Sequence, residues 1–544
     1  MKREQLLYDL FSPLSLIPIL NSLYPKEKLF FLESGIQNRE GNYSFIFVGE
    51  REGVKFQKGE TFYFDGQKWS PIRENPFQFL KRRFKEERER ENSNNREFSL
   101  LNENKTKNRK RERGSNIALE SGNSQPNLPS ASYYPASHRP TFTASIDSQH
   151  STTLTDNSIS PNSSLTLSSQ EDKLPIVDGF IGYIGFEMVQ FFEPILIPHF
   201  ANLKRELEIP ELYLIRPKLT LVYSHRDFTL HLIPHTSDFE VSLPQLKREL
   251  DNSGGNNSFP PLKPAKLEGE PQFSFNRERF YWMVEQGKKH IEKGDIFQIV
   301  LSNRLKVVGE VDKFSFYRLL RATNPSPYLF YLDYGDFALI GSSPEIMVKK
   351  DGDRALVRPI AGTRRRGRTL EEDLIMEQEL RSDKKEQAEH IMLVDLGRND
   401  IGRVSKGGSV EVVELMRVER YSHVMHLVSD VIGKLPENVD QFDLFQATFP
   451  AGTVSGAPKI KAMELIARYE GIARNFYSGA VGYFGIDGNM DTAIAIRTAL
   501  WTPTSLYFQA GAGIVADSQP RLEYKEINNK LGALLATLRK LTIR

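Results

Sequence analysis

Apolar residues recur along the chain in two rhythms, one of period two and one of period three to four. Lys28 to Glu33 and Tyr43 to Val48 alternate or run apolar as strands do, and Gly179 to Phe186 and Tyr213 to Val222 do likewise. Asn276 to Lys293 places Phe280, Met283, Val284, Gly287 and Ile291 on one helical face and stops at Gly294. Strands are predicted next at Phe297 to Leu301, Tyr328 to Leu332, Phe337 to Gly341 and Ala355 to Pro359. A charged helix is predicted from about Thr369 to Leu396, and a last helix from about Arg521 to Arg539 after a strand at Leu506 to Gly511. Hairpin-like strands with helices between them predict an α+β architecture built on antiparallel sheets. Two Gly-x-x-Gly-x-x-Gly runs, at Gly179, Gly182, Gly185 and at Gly479, Gly482, Gly485, do not open helices. They read as strands whose backbones pack closely, not as dinucleotide fingerprints.

Between Lys81 and Asp172 the pattern disappears. Lys81 to Arg113 is dominated by Lys, Arg, Glu and Asn, and Gly114 to Asp172 by Ser, Thr, Asn and Pro. Such a stretch buries too little apolar surface to offset its chain entropy, so a disordered low-complexity insertion is expected at about 84–172. A nucleic-acid-binding or targeting arm built on KNRKRER is the alternative, but a basic cluster interleaved with glutamates reads more readily as a solvated tether. A shorter loop, Asn252 to Pro264, marks a boundary between an N-terminal region, 1–264, and a C-terminal region, 265–544.

Composition narrows the chemistry. With 544 residues, 39% apolar and 26% charged, the chain suits one very large domain or two to three smaller ones. Seventy-two basic against 70 acidic groups leave a formal charge of only +2, so no global field for nucleic acid or membrane is implied. No run approaches 18 uninterrupted apolar residues, and Met1 to Leu20 lacks a small-residue cleavage site, so neither a span nor a signal peptide is expected. The absence of cysteine excludes disulfides, thiolate metal sites and a cysteine nucleophile within the chain, and it fits a reducing cytoplasm.

Carboxylates, cations and glycines then stand out. Glu386 and Glu389 share one helical face, and Glu523, Glu526 and Lys530 repeat that spacing on the last helix. Each set alone suits a solvated acidic face; two pairs on two helices suit one hard cation such as magnesium, completed by water and an anionic substrate. Arg497 lies in an otherwise apolar strand, TAIAIRTAL, where it needs a partner: a structural carboxylate or a bound anion. Gly511, Ala512 and Gly513 let backbone amides approach a carboxylate. His423 and His426 lack a third metal ligand and suit hydrogen bonding or acid-base work better.

Eight blocks go beyond composition: GDIFQIVLS (294–302), NPSPYLFYL (324–332), GSSPEIMV (341–348), RPIAGTRRRG (358–367), AEHIMLVDLGRNDIGRV (388–404), YSHVMHLVSDVIG (421–433), FPAGTVSGAPKIKAME (449–464) and GAGIVADSQPRLEYKE (511–526). In this order they resemble the chorismate-utilising enzymes, most closely the component I (large-subunit) branch of the anthranilate synthases. The resemblance implies a sandwich of two largely antiparallel sheets flanked by helices, with 265–544 as the chorismate-binding catalytic region. Within that family, aminodeoxychorismate synthases usually carry lysine where Ala361 stands, and isochorismate and salicylate synthases usually carry lysine where Gln298 stands. Ala361 offers no nucleophile and Gln298 no base for water addition, which favours the anthranilate branch. An aminodeoxychorismate synthase that works without the lysine is the nearest alternative, and a catalytically silent relative using the basic insertion is a more distant one.

The resemblance also assigns roles. Magnesium would be held by Glu389 and Glu526, with Glu386 and Glu523 close by, on the ring carboxylate of chorismate. Glu345 would protonate the leaving hydroxyl as ammonia adds. Tyr477, Arg497 and the amides about Gly511, Ala512 and Gly513 would hold the enolpyruvyl carboxylate, with Lys530 adding charge, while His426 and Thr453 would serve the elimination of pyruvate. With no cysteine to hydrolyse glutamine, either free ammonia is used or a separate subunit supplies it, and the resemblance implies the second, a glutamine amidotransferase subunit. Glu33, Ser34, Tyr43 and Ser44, with Asn324, Pro325, Pro327 and Tyr328, resemble the tryptophan-binding elements of feedback-inhibited members. Leu329 and Asn42 depart from that pattern at positions where methionine and arginine are common, and Arg365 stands where proline is common. No nucleic-acid or membrane partner is expected.

Overall fold

A computed structural model describes residues 4–7, 12–34, 42–90, 174–252, 259–421 and 424–542. Of the expected insertion, residues 84–90 belong to a helix spanning 76–90, and 91–172 lie outside the described residues, as does His423. Among the described residues the strands gather into two sheets of twelve, and every pairing within them is antiparallel. In the first sheet Leu29–Glu33 runs between Tyr43–Val48 and Tyr328–Asp333; Ala338–Ser343, Thr498–Thr502, Ser505–Ile514 and Gln298–Glu310 follow in spatial order. The second sheet runs from Ile360–Arg365 through Val424–Lys434, Arg354–Val357, Ile346–Asp351, Met490–Ile494, Ala480–Gly485 and Gly179–Ile184 to Leu212–Arg216 and beyond. Both sheets thus draw strands from before and after residues 91–173.

Burial on both faces explains why many strands run apolar without alternating. Phe30 packs with Phe47, Tyr183, Phe330 and Leu339 in a core lined by strands of both sheets, while its neighbour Phe31 meets Tyr317 of the Lys313–Thr323 helix edge-on at 6.0 Å. The helices Arg277–Glu292, Lys313–Thr323 and Pro520–Thr542 cover the outer face of the first sheet, and Leu370–Ser382 and Lys384–Gly402 cover one end of the second. The glycine runs behave as expected: Gly179–Ile184 and Ala480–Gly485 pair with Gly182 opposite Gly482. A Cβ at Gly182 would come within 2.1 Å of the Tyr213 carbonyl oxygen, so only glycine fits.

Three predicted elements are corrected. The single charged helix at 369–396 is two, because Asp383 leaves helical geometry (φ −72, ψ 106) and its carboxylate accepts the amides of Lys385 and Glu386, capping the second helix. The strand at Tyr213 to Val222 is two strands in different sheets, Leu212–Arg216 in the second and Leu219–Ser224 in the first, parted at Pro217, which has no amide to give a ladder. Arg497 is not inside a strand: Met490–Ile494 ends before it, Thr498–Thr502 begins after it, and its φ is +52.

Candidate active site

Two chain crossings between the sheets create the centre of the site. Ala338–Ser343 belongs to the first sheet and Ile346–Asp351 to the second, so Pro344 and Glu345 form the passage between them. Ala495, Ile496 and Arg497 make the reverse passage. The crossings lie side by side, with the Ile494 amide donating to the Glu345 carbonyl at 3.0 Å and the Ser342 amide to the Arg497 carbonyl at 3.2 Å. A residue at such a crossing is excluded from both ladders, which frees its side chain for the space between them.

Glu345 is 8% exposed and flanks a cavity of about 40 Å³ shared with Thr453, Leu393 and Gly397. Burial raises its pKa to about 7; nearness to Thr453, Arg497 and Lys530 only partly opposes that rise. The carboxyl is therefore poised to hold or release a proton near neutrality. The Thr453 hydroxyl is buried without a well-formed hydrogen bond. Arg497 makes no ion pair among the described residues; burial lowers its pKa, against the opposing influence of Tyr477, Glu345 and Glu526. A guanidinium without an ion-pair partner among the described residues is suited to an incoming carboxylate.

The glycine strand supplies the opposite wall. In the pairing of Ser505–Ile514 with Gln298–Glu310, Gly513 faces Val300, Ala512 faces Leu301 and Gly511 faces Ser302. Val300 spends its amide on Ser455 (2.9 Å), and Ser302 spends its amide on the Glu470 carboxylate (2.8 Å). Their partners Gly511 and Gly513 are therefore the non-bonded positions of the ladder, with amides turned outward, while Ala512 turns its amide into the ladder. Ala512 is thus corrected from an amide donor to a spacer. A Cβ at Gly511 would lie 2.9 Å from the Tyr477 hydroxyl, and one at Gly513 would lie 2.4 Å from Gln298 Nε2. Gly511 is hemmed in by Tyr477, Val300 and the Leu301 backbone, whereas a side chain at Gly513 would displace the end of Gln298. Burial pushes Tyr477 up to about 12, so it stays a neutral donor. Gln298 is 4% exposed and its Oε1 lacks a partner.

Ala361 and His426 lie on neighbouring strands. A bulge at Gly362 (φ +69) turns the Gly362 carbonyl to His426 Nδ1 at 2.9 Å, with the Thr363 hydroxyl at 3.1 Å. Nδ1–H is the donor to that carbonyl, which leaves Nε2 as the acceptor nitrogen; burial lowers the pKa of the ring and favours this neutral form. A Cβ at Gly362 would lie 3.2 Å from Glu386 Oε2, so the same bulge also borders the acidic helix.

Four carboxylates meet across two helices. Burial, then Glu386 and Glu526, raise the pKa of Glu389; burial and Glu526 raise that of Glu523, against a hydrogen bond from Ser518. Glu386 pairs with Arg364 at 3.0 Å, and Glu526 with Lys530 at 2.6 Å. Lys530 also donates to the Gly511 carbonyl at 2.8 Å, joining the acidic cluster to the glycine strand. Among the described residues no three acidic or histidine side chains close into a cage. Mutually repelling oxygen donors that stop short of a full shell fit magnesium, which keeps waters and takes substrate oxygens.

The expected tryptophan elements divide. Glu33 lies opposite both Leu329 and Ser44, and Leu329 lies opposite Ser342, so these four share one face of the first sheet. Glu33 is 5% exposed, accepts from the Tyr317 hydroxyl at 2.7 Å and pairs with Arg321 at 2.5 Å, while Ser44 Oγ is 2.8 Å from His225 Nε2. Asn324 Nδ2 donates to Ser342 Oγ at 3.1 Å on the same face. Tyr328 points the other way and reaches Asp491 of the second sheet at 2.9 Å. Ser34 and Tyr43 adjoin Glu33 and Ser44 in the chain, and Pro325 and Pro327 are half-buried in the turn between the Lys313–Thr323 helix and the Tyr328 strand.

Sequence reasoning missed the ion pair beneath the site. Glu470 and Arg474, 2.6 Å apart and at most 2% exposed in their side chains, satisfy the outward edge of the Gln298 strand: Glu470 accepts the Ser302 amide and Arg474 donates to the Val300 carbonyl at 2.7 Å and the Val454 carbonyl at 2.9 Å. Their signal was an acid and an arginine four apart in an apolar segment. Glu470→Ala strands a buried guanidinium and should cost about 3–5 kcal/mol in chemical denaturation; an unchanged midpoint would show the pair to be dispensable.

Residues 114–536 match the family described as chorismate binding enzyme. The chain belongs to that family. It is 43% identical over 387 residues to anthranilate synthase component 1 of Aquifex aeolicus, covering 68% of this chain and 76% of the relative. To the same-named protein of Thermus thermophilus it is 43% identical over 376 residues, covering 68% of this chain and 79% of the relative. Among solved structures, anthranilate synthase component I from Streptococcus pneumoniae superposes with a TM-score of 0.66 at 29% identity, covering 97% of this chain and 99% of the other. The menaquinone-specific isochorismate synthase of Escherichia coli, 18% identical with a TM-score of 0.62 over 99% of this chain and 94% of the other, shares the fold. The expected sandwich and the expected family are therefore both found.

Proposed function

We propose that this chain is the large subunit of an anthranilate synthase, a magnesium-dependent lyase that converts chorismate and ammonia to anthranilate, pyruvate and water. The observation that carries the reading is Glu345, a buried carboxyl at the sheet crossing beside Arg497, with Thr453 close by, where burial raises its pKa towards neutrality. Ammonia forms the new ring C–N bond as the ring C–O bond to the hydroxyl breaks, and Glu345 gives that hydroxyl its proton so that it departs as water. Arg497, Tyr477 and the outward amides of Gly511 and Gly513 hold the enolpyruvyl carboxylate. Glu389 and Glu526, flanked by Glu386 and Glu523, would hold magnesium, which would supply Lewis-acid polarisation at the ring carboxylate. In the second half a ring proton and pyruvate are lost and the ring becomes aromatic; His426 and Thr453 border the space in which this proton moves.

Branch choice rests on two side chains. Ala361 brings no amine and Gln298 no base, so neither a lysine adduct nor water addition is supported, and free ammonia is the nucleophile. With no cysteine in the chain, a glutamine amidotransferase subunit supplies that ammonia. Tryptophan bound on the face of Glu33, Ser44 and Asn324 restrains turnover. No described helix is long and apolar enough to cross a membrane, and the reading places the enzyme in the cytoplasm.

Purified chain supplied with chorismate, magnesium and ammonium at alkaline pH should generate anthranilate fluorescence, which EDTA abolishes and tryptophan suppresses. Consumption of chorismate without anthranilate would reject this branch; aminodeoxychorismate as the product would favour the folate-pathway alternative.

A further inference from the structure

Tyr477 lies in a tight turn, 474–479, in which its amide donates to the Arg474 carbonyl at 3.3 Å and the Gly479 amide to the Phe476 carbonyl at 3.1 Å. Asn475 and Ser478 stand in this turn at φ +54 and +63, a conformation that residues with a Cβ keep only where their surroundings impose it. The Ser478 amide donates to the Ala495 carbonyl at 3.1 Å, and the Ala495 amide to the Gly479 carbonyl at 2.9 Å. The turn is thereby tied to the crossing that ends at Arg497, itself at φ +52. Tyr477 and Arg497 are thus carried on two strained stretches of backbone bonded to each other.

Glu187 imposes the conformation of the turn. It belongs to the 3₁₀ segment Phe186–Phe191, which follows the Gly179–Ile184 strand, and it is 1% exposed. Its two oxygens accept two successive amides of the turn, Oε1 from Arg474 at 2.6 Å and Oε2 from Asn475 at 2.9 Å. Its neighbour Phe186 donates its amide to the Asn475 carbonyl at 2.8 Å and lays its ring 4.7 Å from the Arg474 guanidinium. Burial raises the pKa of Glu187, and the amides it accepts oppose that rise. Burying a carboxyl is costly, and here it satisfies two buried amides that belong to no helix or strand.

We propose that Glu187 is a positioning residue for chorismate: by clamping the amides of Arg474 and Asn475 it sets the turn that presents Tyr477 and, through Ala495, Arg497 to the enolpyruvyl carboxylate. This role rests on the anthranilate synthase reading, in which those two side chains hold that carboxylate. It also makes a residue before 265 part of the support of the catalytic wall.

Glu187→Gln in the full chain tests this. Glutamine keeps the shape of the side chain but turns one acceptor into an N–H donor that faces an amide N–H. The enolpyruvyl carboxylate is gripped alike in the bound substrate and during ammonia addition, so a misplaced grip weakens binding without slowing that step. The KM for chorismate should rise about tenfold, with kcat within about twofold of the natural value and the KM for ammonium unchanged. Hydrogen exchange of segment 474–479, read without chorismate, should be faster in the variant. Glu187→Asp, one methylene shorter and unable to reach both amides, should shift KM in the same direction, and it decides the matter if the glutamine variant does not fold. A fall in kcat at unchanged KM, as a merely less stable fold would give, would overturn the proposal, as would unchanged KM or unchanged exchange in a folded variant. Failure of the natural chain to form anthranilate would instead reject the reading on which the role rests, while exchange would still report whether Glu187 holds the turn.

Discussion

Glu345→Gln should lower turnover by at least about a hundredfold, while chorismate still binds, because glutamine keeps the shape of the carboxyl but gives no acidic proton to the leaving hydroxyl. The same substitution should stabilise the fold at alkaline pH. A carboxyl whose pKa is about 7 in the fold, against 4.5 as its ordinary value, retains a proton that the unfolded chain has already released between those values. Stability is therefore lost as pH rises through that window, by roughly 3 kcal/mol once above it. The glutamine variant has no such group. Chemical denaturation at pH 5 and pH 8 should show a smaller loss with pH in the variant than in the natural chain. Equal pH slopes would contradict the protonated, buried state from which the acid role is argued.

Glu389→Gln is the second large effect, and it too separates activity from stability. Without metal, Glu389 is half-buried near Glu386 and Glu526, and its ionised form is disfavoured by that burial and then by both carboxylates. A neutral amide relieves that repulsion, so the metal-free variant should melt higher than the natural chain. Activity at fixed magnesium should nonetheless fall on the order of a hundredfold, since the substitution removes an anionic oxygen donor from the group that polarises the substrate. Addition of magnesium should raise the melting temperature of the natural chain more than that of the variant. A metal-free variant that melts lower, or an equal response to magnesium, would mean that Glu389 is a structural surface charge.

Local rules carried much of this structure. The Tyr43–Val48 strand and the helix that starts after Asn276 follow from period alone, and the glycine runs read correctly as close-packed strands, though their pairing with each other through Gly182 and Gly482 did not follow from spacing. What one-dimensional pattern could not supply was the pairing of distant crossings. Glu345 and Arg497 come together because two strands change sheets at adjacent places, and nothing within SSPEI or AIAIRT foretells that neighbour. Arg497 was misplaced into a strand because its flanks are apolar on both sides of a sheet change. Ala512 was misread for a related reason: amide direction depends on which cross-strand pairs are hydrogen-bonded, and this is set by Ser455 and Glu470 from elsewhere in the chain. The buried Glu470–Arg474 pair was visible only as spacing, with no sign that both ends would be fully covered.

The most direct measurement is the fate of labelled nitrogen. Chorismate, magnesium and ¹⁵N-ammonium are incubated with the purified chain, and the products are separated and weighed by mass spectrometry. Anthranilate carrying one ¹⁵N, formed in equal amount with pyruvate, is the result this account requires. Isochorismate without label, or labelled aminodeoxychorismate that retains its enolpyruvyl group, would contradict it.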